Sequence, residues 1–112
     1  CYDPVAAINE WLRIVKTNKY VVCLIPHKDR TFDKNRDCTT IEEFVNRHNS
    51  YDKTLRYPDA HYSVWNTETF LEFAKYFDYN VVAYNDKLHA LQNSFAVAIK
   101  KKPLCQKRRG EI

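Results

Sequence analysis

The sequence of 112 residues contains no methionine and one glycine, Gly110. A chain that starts at Cys1 without a methionine anywhere is expected to be a processed product or a piece of something longer. The missing glycines exclude more. A glycine-rich phosphate loop or dinucleotide turn needs backbone that approaches phosphate without a Cβ, and no stretch here supplies it. Any nucleotide-like cofactor therefore has to be held mainly by residues outside this chain. No apolar run approaches the ~20 residues of a membrane span, and no signal-peptide segment stands out, so a soluble protein is expected. The four cysteines, at 1, 23, 38 and 105, form no CxxC and no metal-ligand spacing. Reduced thiols in a cytoplasmic setting are the expectation.

Charge is unevenly spread. The net charge is +4, but Lys100, Lys101, Lys102, Lys107, Arg108 and Arg109 against Glu111 leave the body near neutrality. Residues 103 to 112 read as a basic, solvated tail behind a domain over 1 to 102. No aromatic-interleaved basic face accompanies it, so nucleic acid is not indicated as a partner.

The body alternates between helical and extended patterns. "DPVAAINEWLRIVK", residues 3 to 16, opens with Asp3 as N-cap and Pro4 at the first helical position, followed by a stripe of Val5, Ile8, Leu12 and Val15 that Trp11 and Ile14 widen. Asn18 is placed to end it in a left-handed conformation. "YVVCLI", 20 to 25, lacks alternation, is β-branched, and stops at Pro26, which predicts a strand buried on both faces in a parallel sheet. "TIEEFVNRH" offers Thr40 and Glu43 as a capping box, and "WNTETFLEFAKYF" offers Asn66 as N-cap with a Trp65–Phe70 staple. "NVVAY", 80 to 84, and "SFAVAIK", 94 to 100, read as strands joined by about nine residues, too few for a parallel crossover. An antiparallel pair follows. The whole is an α/β sheet ending in an antiparallel strand pair.

One stretch carries unusual polar density. "PHKDRTFDKNRDCTT", 26 to 40, crowds His27, Lys28, Asp29, Arg30, Asp33, Lys34, Arg36 and Asp37 against the end of an apolar strand. His27, with an unperturbed pKa near ~6.5, is a candidate base or orienting group, or else a surface histidine. Asp33 and Arg36, three apart, are candidates for gripping a polar substrate, for an exposed ion pair, or for a structural clamp within the loop, and the last is favoured. His48 and His89 lack a partner at ligand spacing, and no metal is assigned.

"AINEWLRIVKTNKYVVCLIPHKDRTFDKNRDCTTIEEF", followed by "HYSVWNTETFLEF", resembles the C-terminal half of a class I S-adenosylmethionine-dependent methyltransferase of the type-11-like group, across about residues 3 to 102. The resemblance implies a Rossmann-like sheet in which "YVVCLI" is the fifth strand, "NVVAY" the sixth, and "SFAVAIK" the antiparallel seventh between them. It also implies S-adenosyl-L-methionine as cofactor, bound through a glycine loop and an acidic residue that would precede Cys1, so that no cofactor-binding residue belongs to this chain. His61 in "HYSVW" would return to the crevice of His27, Asp33 and Arg36. The chain departs from the pattern with "TN" where a Gly-Gly turn is usual, with Asp37 and Cys38 where Pro-Val is common, and with Glu43 where His is frequent. The implied role is the substrate-side wall of a methyl-transfer site for an unknown acceptor, inactive without the missing half and open to self-association along the exposed strand. A non-catalytic α/β interaction module built on that scaffold is the alternative.

Overall fold

The computed structural model describes residues 2–50, 62–87 and 93–103. Helix α1 (Pro4–Ile14) is followed by strand β1 (Tyr20–Pro26), a 3-10 turn (Lys28–Arg30), helices α2 (Ile41–Asn49) and α3 (Thr67–Tyr76), and strands β2 (Asn80–Asn85) and β3 (Ser94–Lys100). The architecture is mixed α/β: three helices and a three-stranded sheet in the order β1-β3-β2. Strand β3 is antiparallel to both neighbours, so β1 and β2 run in the same direction on either side of it. The antiparallel pairing of β2 with β3 is the one expected from their short connection, whereas β1, expected in a parallel sheet, has an antiparallel neighbour among the described strands.

The helix starts follow from side-chain chemistry. The Asp3 carboxylate accepts from the Ala6 N–H, Thr40 and Glu43 close a reciprocal capping box, and Asn66 does the same with Thr69. Each satisfies backbone donors that the first helical turn leaves free. With no glycine available, the chain turns tightly through Asn18 (φ 68°) and Asp78 (φ 64°), residue types that tolerate the left-handed region.

The core lies on one face of the sheet. Phe95, Val97 and Ile99 of β3 and Cys23 and Ile25 of β1 pack against Val5, Ile8, Phe44, Phe70 and Phe73 from the helices. Trp65 stacks on Phe44 with ring centroids 4.7 Å apart and meets Phe70 at 4.9 Å, which closes the staple at the start of α3.

Two expectations fail here. Strand β1 is not buried on both faces: Cys23 and Ile25 face the core, whereas Tyr20, Val22 and Leu24 are exposed, because the helices cover one side of the sheet. An unbroken apolar run reports hydrophobicity on both faces without reporting what covers them. Helix α1 stops at Ile14 instead of residue 16, and Trp11 and Ile14 lie outside the buried stripe. The expectations on His61 and His89, and those on the tail beyond Pro103, lie outside the described residues.

Candidate functional site

The parallel strands β1 and β2 end at one edge of the sheet, and each hands on directly to a polar residue: His27 after β1 and Asp86 after β2. The start of α3 reaches the same place. The Thr67 hydroxyl donates to Asp86 Oδ1. Arg30 Nη2 donates to the Asp86 carbonyl oxygen at 2.8 Å and to Oδ1 at 3.3 Å. His27 Nε2 stands 4.0 Å from the same oxygen. One carboxylate therefore gathers a hydroxyl, a guanidinium and an imidazole from three segments of the chain.

The histidine is held tightly. Its N–H donates to the Asn93 carbonyl at 2.9 Å, and its ring meets Phe95 edge to face with centroids 5.9 Å apart. Nδ1 accepts the Asp29 N–H at 3.2 Å, capping the 3-10 turn. An accepting Nδ1 in a neutral ring puts the proton on Nε2, which faces Asp86. Burial depresses the His27 pKa below its ordinary value, with the nearby Arg30 charge adding to the effect and Asp29 and Asp86 opposing it. The imidazole is neutral at pH 7, and its free polar group is a donor. A base role would require Nδ1 to release the turn it caps.

The Asp86 carboxyl is pushed below the usual carboxylate range, chiefly by the Thr67 hydrogen bond, with Arg30 and His27 contributing. It is half exposed, so an anionic acceptor faces solvent beside the donor of His27. On Arg30, Nη2 is occupied and Nη1 is buried without a hydrogen-bond partner.

No family model, curated protein or solved structure matches this chain. The site rests on its own geometry.

Asp33 and Arg36 are positioned differently. Asp33 is 2% exposed. Its Oδ1 accepts from Arg36 Nη1 at 2.7 Å, its N–H donates to Thr31 Oγ1 at 3.2 Å, and the Arg36 N–H returns to the Asp33 carbonyl at 2.9 Å. A buried carboxylate paired this closely holds a loop together and is closed to a ligand. Lys28 adds two further stitches, its N–H to the Trp65 carbonyl at 2.7 Å and Nζ to the Lys34 carbonyl at 3.1 Å. The polar crowding after β1 thus divides into His27 and Arg30 facing Asp86, and a clamp formed by Lys28, Asp33 and Arg36.

Sequence reasoning overlooked Asp86 and Thr67, and it named Arg30 only as part of the polar crowding. The signal for Asp86 was present: it follows the last residue of a strand parallel to β1, and ligand crevices in open α/β sheets lie beyond the carboxyl ends of parallel strands. His48 lies against the Asp3 carboxylate at 3.2 Å, which ties α2 to the start of α1. Among the described residues no three His, Cys, Asp or Glu side chains converge as metal ligands, and no helix is long and apolar enough to cross a membrane.

Proposed function

We propose that this chain is the C-terminal half of a class I S-adenosylmethionine-dependent methyltransferase, and that it supplies the acceptor-side wall of the site in a cytoplasmic protein. The observation that carries the reading is the strand order: an antiparallel β3 between two parallel strands, whose carboxyl ends present His27 and Asp86. In this reading the Nε2–H of His27 and the carboxylate of Asp86 align the acceptor, one donating and one accepting. Positioning is the main demand of an in-line displacement. Where the acceptor carries a proton, the half-exposed Asp86 carboxylate is the nearest acceptor, and its depressed pKa makes it a weak base suited more to orienting than to removing that proton.

The cofactor does not fit within this chain. Its one glycine, Gly110, lies outside the described residues, and no glycine turn follows any described strand. S-adenosyl-L-methionine would thus be held by the other half, and no step involving it is assigned to residues here. The second reading, a non-catalytic α/β module, is favoured by one observation: His27 Nδ1 and the Asp33–Arg36 pair are engaged in holding the loop.

Titration of S-adenosylmethionine separates the two. The 112-residue chain is expected to show no micromolar binding, whereas the protein expressed with the coding sequence upstream in its gene is expected to bind. Micromolar binding to the short chain, or none to the extended protein, overturns the methyltransferase reading. In an active extended protein, His27→Ala should slow single-turnover transfer by about 100-fold with cofactor affinity unchanged. His27→Gln, which keeps a donor, should recover much of the rate if the role is orientation.

A further inference from the structure

The outer edge of β1 has a defined hydrogen-bonding code. The His27 N–H donates to the Asn93 carbonyl and the Lys101 N–H to the Lys19 carbonyl, each at 2.9 Å, flanking a register in which Val21 pairs with Ile99 and Cys23 with Val97. In an antiparallel ladder the residues that exchange bonds alternate. Those facing β3 are therefore the odd-numbered ones, 19 to 27. The N–H groups of Tyr20, Val22 and Leu24 point the other way, out of the sheet, where no described strand lies. Their side chains are 53%, 64% and 56% exposed.

Natural edge strands are blunted by charge, proline or a bulge. Strand β2, at the opposite edge, has a bulge between Val81 and Ala83. Strand β1 has neither a bulge nor a charge, and its proline stands at the last position. Beside it runs an apolar groove of about 390 Å³, lined by Ala7 and Trp11 of α1, by Val21 to Pro26, and by Trp65.

We propose that this edge is a dimer interface, in which β1 pairs antiparallel with β1 of a second copy about a two-fold axis at Val22. That register sets Val22 opposite Val22 and Tyr20 opposite Leu24, so all three outward N–H groups of each copy find acceptors. It sets Lys19 opposite Ile25 of the second copy, so no like charges meet along the strand. Val21 comes opposite Cys23 of the second copy on the face shared with the groove. The two sheets become one of six strands whose outer edges are the bulged β2 strands. One strand edge and its flanking groove make a small contact, and specific interfaces begin at about 1,200 Å² in total, so a weak dimer is expected. The proposal uses only the strand edge and concerns the 112-residue chain, since in the methyltransferase reading an upstream strand would take the same edge; the cofactor titration tests that reading separately.

Two measurements decide it. Sedimentation velocity across a concentration series should show a monomer–dimer equilibrium for the wild-type chain. Val22→Lys and Val22→Glu should each weaken it by about tenfold or more, since like charges would face each other at the axis, and an equimolar mixture of the two should restore it. Circular dichroism checks that both variants fold. In a background with Cys1, Cys38 and Cys105 replaced by Ser, Val21→Cys should form, under mild oxidation, a disulfide mapped by mass spectrometry to Cys23 of the other copy. Adding Cys23→Ser should abolish it. Stacking through the open sheet face cannot make that bond, because residues 21 and 23 lie behind the sheet. A concentration-independent monomer, indifference to Val22→Lys, or a dimer lacking the 21–23 link would each overturn the proposal.

Discussion

His27 shows what a single residue can carry in two structural roles. Its depressed pKa couples folding to pH, and the sign follows from proton counting: between the unfolded value near ~6.5 and the lower folded value, the unfolded chain binds more protons. Stability is therefore full above about pH 6.5 and falls as the pH drops through that window. Thermal melts from pH 7.5 to 5 should show this decline, and His27→Gln should flatten it; an unchanged slope in the variant would assign the decline to other groups. Arg47 is the other residue with several duties. Its guanidinium donates to the Tyr2 carbonyl at 3.1 Å, the Tyr62 carbonyl at 2.9 Å and Ser63 Oγ at 3.0 Å, and it lies 4.8 Å over the Tyr2 ring. Arg47→Lys keeps the charge and loses the planar fork, so it should recover little of the roughly 2 kcal/mol that Arg47→Ala is expected to remove in urea denaturation. Equal stability of the Lys variant and wild type would show that charge alone suffices. Nothing in the sequence marked Arg47, because three acceptors from distant segments have no local pattern.

At the scale of the element, the helix starts were legible and the coverage of the strands was not. Capping is written in residues three apart, so Thr40 with Glu43, Asn66 ahead of α3, and Asp3 with Pro4 could be read directly. The end of α1 was less legible, since Ile14 and Val15 continue an apolar pattern beyond the last buried turn. For β1 the sequence reports an apolar run, and only the tertiary arrangement decides that Cys23 is inside and Val22 outside. The site divides in the same way. His27 was legible at a strand end, whereas Asp86, which it faces, and Thr67, which bonds Asp86, come from 59 and 40 positions further along the chain and needed the fold to bring them near. The capping box offers a local test: Thr40→Ala should cost about 1 kcal/mol, by loss of the bonds with the Glu43 N–H and carboxylate. Thr40→Ser should cost less, since it keeps the hydroxyl. A Ser variant as unstable as the Ala variant would show that the threonine methyl, and not the cap, is what matters.

For the whole molecule, the decisive feature is the asymmetry of the sheet. One face holds Phe95, Val97 and Ile99, each 0% exposed, beneath a layer of aromatic rings; the other presents Val22 and Leu24 to solvent. Hydrophobic stabilisation scales with the area removed from water, so equal deletions on the two faces should have unequal effects. Ile99→Ala removes three carbons from a filled interior and leaves a cavity, which costs about 2–5 kcal/mol. Leu24→Ala removes the same number from a side chain already in contact with water. In a monomer its cost should stay within about 0.5 kcal/mol. The comparison also reads the state of the open face. Equilibrium denaturation of both variants at low protein concentration should show the full disparity, and at high concentration Leu24→Ala should become more damaging as edge pairing draws Leu24 beside Tyr20 of a second copy. Leu24→Ala costing as much as Ile99→Ala at every concentration would mean that this face is covered within a single chain, and the one-sided core described here would be wrong.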